Sequence, residues 1–311
     1  MSVWELASIL SKFLIYAGLL SAIGGGLMVM SCRQQPALVI LIGRFYLMPA
    51  LLTGLLATCV FFLVQIGSVN QRGLSGMFDP LIGSILVETE IGSALRWRLG
   101  GFMLALICLV AVNWPGYPLR HNGVQRVCVA LTVLAAACLM VSVAVQGHSS
   151  AVSWLAQTLV GLHVLAIGAW AGALVPLSLM VHHSRALQVE PLYVADQLRQ
   201  FGTYAAGMLL VMVASGLSLF WLLTDGFATL LSTLYGQLFL VKVLTVAAMM
   251  ALGALHKFRW VPRVRHAAES TPDDETALKV LGRSIRVETV LAVVVLMITA
   301  SMTTITGPSA G

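Results

Sequence analysis

The chain has 311 residues, of which 59% are hydrophobic and only 10% charged, and 18 Lys and Arg against 12 Asp and Glu give a net charge of +6. A soluble domain carries roughly 25% charged residues, so this chain cannot clothe a water-facing surface, and a soluble globular fold is excluded. Its bases are scattered over many short segments rather than gathered in one patch, which excludes a nucleic-acid interface as well.

Lipid is then the solvent, and the backbone must satisfy its own hydrogen bonds in helices or a closed barrel. Barrel strands would alternate apolar and polar residues over roughly ten positions. Segments such as 45–66 and 287–305 are instead apolar on every face at helix-spanning length. The expected fold is an all-α polytopic membrane bundle of about eight helices, one transmembrane domain over 1–311.

The first span is expected near 6–30. No basic segment precedes it, since Lys12 lies beyond Trp4 and Glu5, and it contains the run Gly24, Gly25, Gly26. It reads as a membrane helix, not a cleavable leader. A second span follows near 45–68. The loop after it holds Met77, Asp79, Glu88 and Glu90 and is expected to form a short surface helix. Spans three and four fall near 95–114 and 124–146. The turn between spans four and five reads Gly147-His148-Ser149-Ser150-Ala151. Span five, near 157–181, carries His163, Trp170 and the series Gly161, Gly168, Gly172, small residues that allow close helix approach.

Spans six and seven are expected near 202–223 and 235–256. Lys242 lies about six residues into span seven, ~9 Å deep at 1.5 Å per residue, within snorkelling reach of the interface. The segment 257–284 is the longest polar stretch and is expected to be a mobile loop. The last span, near 285–306, carries Glu288 close to its start, where Arg259 or Lys257 is the expected partner. Alternate loops hold 13 of the 18 Lys and Arg residues. The positive-inside rule makes that side cytoplasmic and places both termini outside.

Polar groups at membrane depth are costly and mark functional candidates. His148 and His163 flank one short turn on the outward side, and neutral imidazole binds copper, zinc and iron. Interfacial histidines bonded to carbonyls are the plainer alternative. His163 and Trp170 are seven residues apart and share a helix face. Met208, Met212, Cys138 and Met140 offer soft ligands for Cu(I), although Met is also an ordinary filler of cores. The five cysteines contain no C-x-x-C pair, so a disulfide framework is not expected.

Several blocks resemble, in order, the CopD/PcoD/YebZ family of bacterial inner-membrane copper proteins. They are Phe78-Asp79-Pro80 with Glu88-Thr89 and Gly92; Gly147-His148 followed by His163 and Trp170-x-Gly172-x-Leu174; Ser215-Gly216; Tyr235-Gly236-Gln237-Leu238 with Lys242; Val261-Pro262-Arg263; and Arg283 through Glu288. Together they cover roughly 75–307. Some relatives carry extra histidines between the Gly-His element and the histidine of helix five, where this chain has none. The resemblance implies a copper ion, Cu(I) or Cu(II), moved across the inner membrane toward the cytoplasm alongside a periplasmic CopC-like carrier. Within it His148 and His163 are the implied metal ligands, with Met77, Asp79 and Glu88 as auxiliaries. Trp170, Gly172, Lys242 and Glu288 are the intramembrane residues of interest. No P-loop or D-K-T-G motif appears, so no enzymatic activity is expected. Two other readings stay open: a membrane haem protein or metal reductase using the same histidines, and a copper-binding partner that does not transport.

Overall fold

In a computed structural model the described residues are 2–112, 122–147, 153–223, 229–270 and 276–305. Among them the chain forms helices and turns with no strand. Eight helices are long and apolar enough to cross a membrane: α1 Val3–Ser31, α2 Pro36–Asn70, α3 Glu90–Val112, α4 Arg126–Ala144, α5 Trp154–His183, α6 Pro191–Leu222, α7 Leu234–Ser270 and α8 Thr276–Ile305. The expected all-α polytopic bundle is what the chain forms.

Several helices extend further than hydropathy indicated. α2 starts at Pro36, which occupies the first turn where a missing N–H costs nothing, and passes through a π-turn at Gly43–Leu47. α7 continues through a second π-turn, His256–Trp260, into the amphipathic stretch Val261–Ser270. The expected loop 257–284 is therefore helical on both sides of 271–275, residues outside those described. The extension is held by packing: Val261 and Val264 are buried, and the stretch lies against α6. Arg265 adds contacts to Asp196 at 3.2 Å and to Glu269, one turn on, at 3.1 Å. Hydropathy ends a helix where lipid ends, whereas the backbone continues while an apolar stripe finds a neighbour.

α1 is the hub. It packs on α2, α4, α5 and α8, and 67% of its apolar window is enclosed, against 6% for α7, which faces outward. The closest approach is to α5. A Cβ on Gly24 would overlap the backbone of Gly172 and Ala173, and one on Gly172 would overlap the Leu20 carbonyl. These glycines act as the packing residues their spacing suggested. α5 is broken at this point into Trp154–Ala171 and Leu174–His183. Pro176 explains the break, since it has no N–H to give the Gly172 carbonyl four residues earlier. Tyr46, in the π-turn of α2, supplies the missing donor: its hydroxyl lies 3.2 Å from Gly172 O and 2.8 Å from Ser21 Oγ. Elsewhere the core is aliphatic and tight, with Leu51, Phe102, Leu139, Met180 and Leu281 fully buried.

Candidate metal site

His163 lies nine residues into the first half of α5 and faces α6. Its Nδ1 is 3.0 Å from the Met212 carbonyl oxygen and 3.2 Å from Ser215 Oγ. A carbonyl only accepts, so Nδ1 carries the proton and Nε2 presents its lone pair. A metal-bound histidine has this arrangement, one ring nitrogen held by a carbonyl and the other left for the ion. Gly216 allows the ring so close, because a Cβ there would come 3.0 Å from His163 Cε1. The Ser215-Gly216 pair thus has a local reason: hydroxyl to the ring edge, bare Cα under its face. Lys242 of α7 is half-buried and within electrostatic range of His163.

His148, the other expected ligand, lies outside the described residues. Of the auxiliaries, Asp79 caps the short helix Pro80–Val87. One carboxylate oxygen accepts from Leu81 N–H and Ile82 N–H at 3.0 and 3.2 Å, the other from Asn70 Nδ2 at 3.0 Å. The Ile82 bond above all, with those from Leu81 and Asn70 and the charge of Arg72, holds its carboxyl below the usual 3.8. Met77 lies over Gly67 of α2, and Glu88 is exposed at the end of the same short helix. Among the described residues no three His, Cys, Asp or Glu side chains gather as a metal cluster. His163 is therefore joined by none of the expected auxiliaries in such a group.

Two buried features were not anticipated. Arg98 of α3 is 4% exposed. Its guanidinium donates to Gln146 Oε1 at 2.6 Å and lies 5.7 Å from the Phe61 ring centre. The second feature lies toward the basic end of the bundle. Glu288 of α8 is 1% exposed, and its Oε2 lies 3.2 Å from Nδ1 of His256, not from Arg259 or Lys257. His256 Nε2 is 2.7 Å from Ser284 Oγ, one turn before Glu288. Glu288 Oε1 has no hydrogen-bond partner among the described residues. His256 looks like a solvated helix end in the sequence because its partners lie 28 and 32 residues away on another helix. Nothing local announces them.

Glu288 and His256 line a cavity of about 850 Å3 between α5, α6, α7 and α8. Trp170, Leu177, Leu209 and Met250 form its apolar walls, and Arg199, Lys257 and Arg265 its charged edge. Trp170 is 3% exposed and two turns along α5 from His163, ~10 Å at 1.5 Å per residue. Arg199 and Thr203 also line a polar cleft of about 820 Å3 at the basic end. The cavity thus runs along α6 from Val213, the residue after Met212, to the basic surface at Arg199, and His163 itself does not line it. Across the bundle, Met30, Cys108 and Cys128 line a separate small cavity of about 100 Å3.

A family profile described as copper resistance protein D-like, N-terminal domain, matches residues 1–157. A second, copper resistance protein D, matches residues 195–302. The first reaches well upstream of residue 75, where the quoted motifs begin. The inner membrane protein YebZ of Escherichia coli (strain K12) is 25% identical over 247 residues, 77% of each chain. No solved structure matches. With one profile over half its length and a second over most of the remainder, the chain is a multi-pass membrane protein that belongs to the copper resistance protein D family.

Proposed function

We propose that the chain carries copper across the bacterial inner membrane toward the cytoplasm, receiving it from a periplasmic CopC-like carrier and performing no chemistry on it. The observation that carries this reading is His163: its Nδ1 is tied to a backbone carbonyl of the next helix, leaving Nε2 as a lone-pair donor inside a membrane bundle. Family membership names copper as the cargo, the relative is an inner-membrane protein, and the crowding of bases at one end orients that end to the cytoplasm. His148 and His163 capture the ion on the outer side. Trp170 and the small residues of α5 shape its passage into the cavity beyond. Lys242, within electrostatic range of His163, keeps the capture site from holding a cation too tightly, since an ion that conducts must also leave.

The test is Cu(I) uptake into sealed proteoliposomes containing a trapped chelating dye. His163→Ala and His148→Ala should each lower the initial rate at least tenfold without changing the yield of folded protein. Copper bound but not taken up by the unaltered protein would favour the non-transporting partner, and a Soret band in the purified protein would favour haem. Unchanged uptake in both variants would sink the assignment.

A further inference from the structure

Glu288 and His256 pose a question that capture at the outer side does not answer. A carboxylate 1% exposed, with one oxygen unpartnered, is costly in a membrane bundle unless something completes its coordination. The bases that share its cavity, Arg199, Lys257 and Arg265, form no ion pair with it within 4 Å among the described residues; His256 alone does. Gly253 borders the orphan oxygen: a Cβ there would stand 3.9 Å from Oε1, in ordinary van der Waals contact, and a longer side chain would reach further toward it.

We propose that Glu288 and His256 form a second copper-holding station near the cytoplasmic end of the cavity, from which the ion is released. Three features of the pair fit a metal ion. First, Nδ1 and Oε2 are 3.2 Å apart, the separation of two neighbouring ligands on one ion at bond lengths of roughly 2.0–2.2 Å. Second, Ser284 holds the other ring nitrogen at 2.7 Å. With a metal on Nδ1 in place of the proton shared with Glu288, Nε2–H would donate to this hydroxyl, the outer-shell hydrogen bond that orients a metal-binding imidazole. Third, one carboxylate and one neutral imidazole carry a single negative charge, which a monovalent Cu(I) cancels. The filled station is then electrically neutral where charge is most costly. The cationic edge of Arg199, Lys257 and Arg265 raises the energy of a bound cation and favours its departure. Arg199 and Thr203 line both the cavity and the polar cleft beyond.

This inference rests on the copper-transport reading, and one set of measurements separates the two. The full chain in lipid nanodiscs is titrated with Cu(I) against a competing chelator, and metal ligation is read by X-ray absorption. The same proteins are then assayed for uptake. The expected result is histidine-ligated copper at two stations. Glu288→Gln and His256→Ala should each weaken the inner one at least tenfold and abolish uptake while copper stays bound at His163. His163→Ala should remove only the outer one. Gly253→Leu replaces neither ligand but crowds the space before Oε1, and should act like Glu288→Gln. Wild-type copper affinity and ligation in Glu288→Gln, His256→Ala and Gly253→Leu would overturn the inner station while leaving the transport reading intact; a pair that holds only a proton gives this result. Absence of both copper binding and uptake in the unaltered chain would overturn both.

Discussion

The α1–α5 crossing and the space between α5, α6, α7 and α8 show two opposite ways of assembling a bundle in lipid. At the crossing, backbone meets backbone: Gly24 and Gly172 leave no room for even a methyl group. Around the cavity the same α5, beginning at Trp170, packs on α8 through Leu174–His183 but stands away from α7, and the space between them encloses about 850 Å3. The buried carboxylate lies on the open side, and the tight seam has only a tyrosine hydroxyl and a serine. Helix association in lipid draws on close packing rather than on expulsion of water. The seam therefore supplies the cohesion that lets the other side stay open and polar.

Breaking the seam should have the largest effect. Gly172→Leu forces a side chain into the α1 backbone and should exceed the about 1–3 kcal/mol typical of overpacking. The expected outcome is little or no monodisperse protein after detergent extraction, and a normal yield would mean that the crossing is not the support of the fold. On the open side, Glu288→Ala leaves His256 without its acceptor and should cost about 2 kcal/mol. Thermal unfolding checks this, with Glu288→Gln falling between the alanine variant and the unaltered chain. A cost equal to that of Gly172→Leu would erase the contrast between the two regions. The smallest effect concerns Asp79. Its carboxyl titrates lower in the folded chain than the ordinary 3.8, so its capping contribution is fully present above that pH. The contribution is lost as pH falls through the depressed value. Hydrogen exchange of the 80–87 amides should accelerate only below about pH 4, and Asp79→Asn should shift that onset.

The eight spans and the glycine packing were legible because both are local: a run of apolar residues states its own length, and a glycine series states a face. Asp79 was legible too, but as a cap: Asp followed by Pro at the first helical position is a helix start. Both its oxygens are engaged at that helix start, by Leu81, Ile82 and Asn70. His163 could be found as an intramembrane histidine, yet its hydrogen bond to Met212 depends on how α5 and α6 are rotated. The Glu288–His256–Ser284 network was not readable, since it joins two helices across residues outside the described set, and hydropathy had ended α7 at His256. The burial of Arg98 was hidden for a related reason: the Phe61 ring and the Gln146 amide that accompany it come from elsewhere in the chain.

Pro176 leads to a last consequence. By withholding one N–H it strands the Gly172 carbonyl, and the hydroxyl of Tyr46 reaches that oxygen from the π-turn of α2. Two departures from regular helix, one in each element, are thereby keyed to each other like the teeth of a dial. The hydroxyl fixes the angle through which the upper part of α5 can turn about its own axis. His163 lies nine residues before Gly172 on the same element, so the phenol that never touches the imidazole still anchors the helix that presents it to Met212 and Ser215.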